Sequence, residues 1–93
     1  VVPGLVEALH SPQRDVRRGA TWALALTGDP ASVPGLIEAL AIPDWNISRM
    51  AAVALGRLGD SRAVPALTAA LDSEDAHLRD AAAAALAQIQ NPA

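Results

Sequence analysis

A chain of 93 residues with a net charge of −3 and no cysteine is one small domain with no disulfide framework and no thiolate metal site. All seven basic residues are Arg, and they form no basic stripe to gather phosphates, which argues against nucleic acid as a partner. No apolar run is long enough to span a bilayer, and only Trp22 and Trp45 are aromatic in a composition that is 52% hydrophobic. The core must therefore be Leu, Val, Ile and Ala, side chains that suit closely packed helices.

One stretch occurs three times. Val2-Pro3-Gly4-Leu5, Val33-Pro34-Gly35-Leu36 and Val64-Pro65-Ala66-Leu67 are spaced by 31 residues, and a fixed period in this range marks a stacked-repeat protein. The repeats run over residues 1–31, 32–62 and 63–93. Each opens with a short amphipathic segment: Val2, Leu5, Val6 and Leu9; then Val33, Leu36, Ile37 and Leu40; then Val64, Leu67, Thr68 and Leu71. Apolar residues at i, i+3, i+4 and i+7 give one face of a helix about two turns long. The proline fits its first turn, where no N–H is needed. Glu7 and Glu38 fall on the solvated side.

A polar break follows in each repeat: His10-Ser11-Pro12-Gln13, Ile42-Pro43-Asp44 and Asp72-Ser73-Glu74-Asp75. Ser11 reads as the N-cap of a second helix, with Asp44 and either Ser73 or Asp75 in the same role. The second helices carry their own stripes. Val16, Ala20, Ala23, Leu24 and Thr27 correspond to Ile47, Ala51, Ala54, Leu55 and Leu58, and to Leu78, Ala82, Ala85, Leu86 and Ile89. Gly28 and Gly59 stop the first two of these helices in the left-handed conformation. A two-helix unit of this size cannot bury its own stripe, so its neighbours must stack on it. The expected fold is all-α: an α-solenoid, a right-handed superhelix of stacked helical hairpins.

The residues Val16-Arg17-x-x-Ala20-x-x-Ala23-Leu24, Ala51-x-x-Ala54-Leu55-Gly56-x-Leu58-Gly59-Asp60 and Leu78-Arg79-x-x-Ala82-x-x-Ala85-Leu86 resemble HEAT repeats. They are most similar to the short bacterial and archaeal type also found in phycobilisome lyases. The resemblance covers the whole chain and implies a protein-binding scaffold whose second helices line a concave face. It also implies an alternative, an accessory domain or subunit of an enzyme such as a bilin lyase. One enzyme class with this fold, deoxyhypusine hydroxylase, holds two irons with His-Glu pairs. His10 and His77 are not followed by Glu, so no metal site is expected. Ser48 departs from the Arg seen at Arg17 and Arg79, and Gln90-Asn91 replaces Gly-Asp at the end of the third repeat. The chain opens directly on a repeat and without Met, so a piece of a longer array or protein is expected, with end repeats open to self-association.

On the second helices, the positions opposite the stripe are Arg18, Trp22 and Ala25, then Arg49, Val53 and Gly56, then Asp80, Ala84 and Ala87. Trp and Arg concentrate binding energy at interfaces, so Arg18, Trp22, Arg49 and Val53 are the expected partner surface. Against this stands the reading in which Trp22 folds over the edge of the core. Trp45 reads as a turn aromatic lying on its own repeat. Arg17 and Arg79 read as ties to turn carbonyls or carboxylates, and Asp72, Glu74 and Asp75 as a solvated acidic turn without the glycine and spaced ligands of a calcium loop. No nucleophile sits beside a base in a recognisable motif, and no glycine-rich phosphate loop is present. The sequence thus predicts a non-catalytic, cytoplasmic module with no cofactor, whose partner is another protein.

Overall fold

The computed structural model describes Gly4 and residues 7–90. Val2, Pro3, Leu5 and Val6 of the first amphipathic stripe lie outside the described residues, as do Asn91 and Pro92. Glu7 and Ala8 are helical, and Leu9 of that stripe is fully buried. The elements that follow are α1 (Arg14–Thr27), α2 (Val33–Ala39), α3 (Trp45–Leu58), α4 (Val64–Ala70) and α5 (Ala76–Gln90). Short 3-10 turns at Pro30–Ser32 and Ser61–Ala63 lead into α2 and α4. The starts of α1, α3 and α5, and those of α2 and α4, recur at the sequence period of 31. Among the described residues there is no strand, and the architecture is the expected all-α solenoid.

Local chemistry sets the element ends. Gly28 and Gly59 have φ of 63° and 67°, where a side chain would be strained, and each closes the helix before it. Asp29 and Asp60 then cap the 3-10 turns, each Oδ1 accepting from the backbone N–H two residues on, Ala31 and Arg62, at 2.9 Å. Asp44 caps α3 in the same way through Asn46 N–H at 3.0 Å, and Asp75 caps α5 through His77 N–H at 3.1 Å. Ser11 behaves differently from its expected role. Its Oγ accepts from Gln13 N–H at 3.2 Å within the turn, and α1 begins later, after a Gln13 cap that makes no side-chain bond. Ser73 makes the matching turn bond to Asp75 N–H at 3.1 Å, which leaves the helix cap to Asp75.

The core is a continuous apolar layer between the shorter and the longer helices. Leu24, Leu36, Ile47, Leu55 and Leu67 are fully buried, packed among Ala51, Ala54, Ala82 and Ala85. Each large side chain withdrawn from water in this way contributes about 1.5–3 kcal/mol. Four stripe positions, Val16, Thr27, Thr68 and Leu71, are exposed against expectation. Val16 is exposed, whereas its equivalents Ile47 and Leu78 are buried. Leu78 lines a groove with Ile37 and Leu40 of the preceding repeat. Thr27 turns its hydroxyl back to Leu24 C=O at 2.9 Å and stays exposed.

Candidate interaction surface

Helix α3 packs against α1 on one flank and α5 on the other, with α2 beneath it. The flanks are as decisive as the core stripe. Ser48, Ala52 and Gly56 are all buried along α3, which narrows its open face to Asn46, Arg49, Met50, Val53 and Arg57. A Cβ placed on Gly56 would lie 2.8 Å from Ala85 Cα and 2.9 Å from its Cβ, and would also meet the Gln88 side chain. At Gly56 the helices α3 and α5 therefore approach too closely for a side chain on α3. Gly56 is not on the open row where stepping along the sequence places it.

With that correction, the open rows follow the period of 31: Arg18, Arg49 and Asp80; Trp22, Val53 and Ala84; Leu26, Arg57 and Gln88. Trp22 is 56% exposed, Leu26 65% and Val53 49%, so Trp22 stands in solvent and does not fold over the core. All four expected surface residues lie on this one face. Leu26 and Arg57 join them, missed because the expected row was drawn one residue too early, through Ala25 and Gly56. The face is uneven. Repeats one and two present large apolar groups with arginines, and repeat three presents Asp80, Ala84 and Gln88.

Trp45 is not a turn residue. It is the first residue of α3 and is 67% exposed. With Arg14, Pro43, Asp44, Asn46 and Arg49 it lines a hollow of about 290 Å³ at the end of the open face. Asp44 is nearly buried, and Arg14 Nε stands 3.4 Å from its Oδ2. Arg49 donates from Nε to Trp45 C=O at 3.2 Å and from Nη2 to Asn46 Oδ1 at 2.6 Å, which fixes its side chain along α3.

The remaining candidates take structural roles. Arg17 and Arg79 donate from Nη1 to Ser11 C=O at 2.7 Å and to Ser73 C=O at 2.6 Å, as their position beside the turns predicts. Ser48, in place of the arginine, is buried and donates to Asp44 C=O at 3.3 Å. Asp60 and Arg62 pair at 2.8 Å, and Arg62 Nη2 also reaches Pro30 C=O in the preceding turn at 3.1 Å. That hydrogen-bonded guanidinium holds the Asp60 carboxyl below its ordinary pKa and is itself raised by the same contact. His10 Nε2 and Glu38 Oε2 meet at 3.2 Å on the surface, and no group of three metal-ligating side chains occurs among the described residues.

The fold and face define a class: a solenoid of stacked helical hairpins that presents one side of its longer helices. The chain belongs to the HEAT-repeat family, whose profile matches residues 2–93. Among solved structures it is similar to a chain in the complex of CpcE and CpcF of phycocyanin lyase from Nostoc sp. PCC7120. There the TM-score is 0.84 and the identity 31%, over 97% of this chain and 37% of that one. It is also similar to human deoxyhypusine hydroxylase in complex with glycerol, with TM-score 0.85 and 26% identity over 96% of this chain and 32% of that one. The chain spans about a third of the length of each of these proteins. A comparison with curated proteins gives no match. No helix among the described residues is long and apolar enough to cross a membrane.

Proposed function

We propose that the chain is a non-catalytic interaction module of the cytoplasm that binds another protein on the open face of α1 and α3. The observation that carries this reading is the row of Trp22, Leu26 and Val53, three large apolar side chains left in water on two neighbouring helices. Apolar patches of this kind, edged by arginines, are where proteins spend binding energy. Arg18, Arg49 and Arg57 supply the edge. Affinity capture from a lysate, run in parallel with a Trp22→Ala/Val53→Ser variant, tests it. Proteins retained by the unmodified chain and lost by the variant support the face; equal retention by a variant that keeps its helical spectrum removes it.

A second reading is favoured by the 31% identity to a chain of the phycocyanin lyase complex. In it, the chain is an accessory part of a bilin lyase-like enzyme and pairs with a second subunit. Mixing the chain with phycocyanobilin would then shift the pigment's absorption spectrum, whereas a pure protein adaptor leaves the spectrum unchanged.

A further inference from the structure

We propose that the segment bound by this face is acidic, and that one of its carboxylates seats in the hollow between Arg14 and Arg49, beside the Trp45 indole. The inference rests on the open-face reading above and names the chemistry of the partner. The chain as a whole is acidic, yet the open face of repeats one and two gathers Arg18, Arg49 and Arg57. None of these three makes an ion pair with a carboxylate among the described residues. The anionic excess lies in repeat three, on Asp72, Glu74 and Asp75 of the turn and on Asp80, which ends the row begun by Arg18 and Arg49.

The hollow gives that charge a place to act. Arg14 Nε stands 3.4 Å from Asp44 Oδ2, and the two terminal nitrogens of its guanidinium have no partner among the described residues. Arg49 uses Nε and Nη2 on Trp45 C=O and Asn46 Oδ1, neither of them charged, and its Nη1 has no partner among the described residues. Asp44 balances one of the two cations, so the hollow carries one uncompensated positive charge. Arginines already held in place lose less freedom when they bind, and their fork matches a carboxylate. Arg14 is one helical turn before Arg18, and Arg49 begins the row that continues to Val53 and Arg57. The hollow is thus continuous with the apolar row. A carboxylate here and apolar side chains on Trp22, Leu26 and Val53 describe one extended or helical segment.

The test is selection from a display library of random peptides of about a dozen residues, long enough to cover such a row. It is followed by binding measurements on the enriched peptides. Three variants are compared: Arg49→Gln, Arg49→Lys and Trp22→Ala. Arg14 is left intact because its loss would strip Asp44 of its counter-ion. The expected result is enrichment of Asp or Glu at a fixed distance from apolar residues, with binding that weakens as salt is raised. Arg49→Gln should weaken these peptides about tenfold, and Arg49→Lys should restore part of the loss. Enriched peptides without acidic residues, or equal binding by Arg49→Gln, would overturn the inference and leave the apolar row standing. No enrichment at all would overturn both. Loss in Arg49→Gln with none in Trp22→Ala would keep the hollow and remove the row.

Discussion

The joint between repeats one and two and the joint between repeats two and three share a sequence period and differ in what fills them. At the first, the buried Asp44 that caps α3 has Arg14 at 3.4 Å. At the second, Asp75 caps α5 with the same geometry; the Oδ2 of each aspartate is buried without a hydrogen bond, but Asp75 has no cation within ion-pair distance among the described residues. The reason is positional. The equivalent of Arg14 one repeat on is Trp45, so the position that supplies a cation to Asp44 supplies none to Asp75. The second joint instead gains close helix packing: α3 lies more extensively on α5 than on α1, through Gly56 against Ala85. Repeats two and three keep the same aspartate cap because it is made within one repeat, whereas α1 begins at Gln13 without a side-chain cap. Contacts between repeats depend on two copies at once, and they drift.

The largest expected effect breaks the second joint. Gly56→Val drives a branched side chain into the Ala85 backbone and should lower stability by about 3 kcal/mol, read from urea or thermal unfolding followed by circular dichroism. The opposite sign is expected at Gly19 of α1, where an added Cβ meets nothing within 4 Å. Gly19→Ala should stabilise by about 0.5–1 kcal/mol through helix propensity alone. A loss there would mean that the open face of α1 is more crowded than its exposure indicates.

Smaller effects sharpen the charge difference between the joints. Trp45→Arg would give Asp75 the cation that Asp44 already has, at a position exposed enough to accept the change. It should add about 0.5 kcal/mol, and the gain should vanish in an Asp75→Asn background. Asp75→Asn alone should stay within about 0.5 kcal/mol of the parent chain, because Asn caps a helix as Asp does and the lost charge had no partner. Asp44→Asn should cost about 0.5 kcal/mol, a modest figure because Arg14 is 68% exposed.

The smallest effect is a pH dependence. Asp60 has its folded pKa held below the ordinary 3.8 by the hydrogen bonds from Arg62. A depressed carboxylate contributes stability that is fully present above its unfolded pKa and is lost as pH falls through the folded one. Arg62→Ala should therefore flatten the stability profile only below about pH 4, since the unfolded carboxyl titrates there. A difference between the two chains that persisted unchanged into strong acid would point instead to the lost Arg62 bond to Pro30 C=O.

Much of the architecture was legible in the sequence because it is written in near neighbours. The i, i+3, i+4 stripes, the aspartate caps and the two left-handed glycines each depend on residues a few positions apart, and helix formation reads those directly. The period of 31 then required stacking, since no single hairpin could bury its stripe. The same logic placed Arg18, Trp22, Arg49 and Val53 on one face, and tied Arg17 and Arg79 to their turns.

Tertiary structure alone decided the rest. Stepping along one helix assumes a buried side and an open side, but α3 has neighbours on two flanks as well. Its open face is therefore narrower and rotated, which buries Gly56 and brings Leu26 and Arg57 into the rows. Trp45 became the exposed wall of a hollow because its surroundings come partly from Arg14, 31 residues earlier in the chain. Val16 looked like core and is exposed, whereas its repeat equivalents Ile47 and Leu78 are buried. The sequence by itself determined the elements, their caps and their order. Only the packed structure decided which side chains remained in water, because exposure is a property of what the neighbouring helices cover.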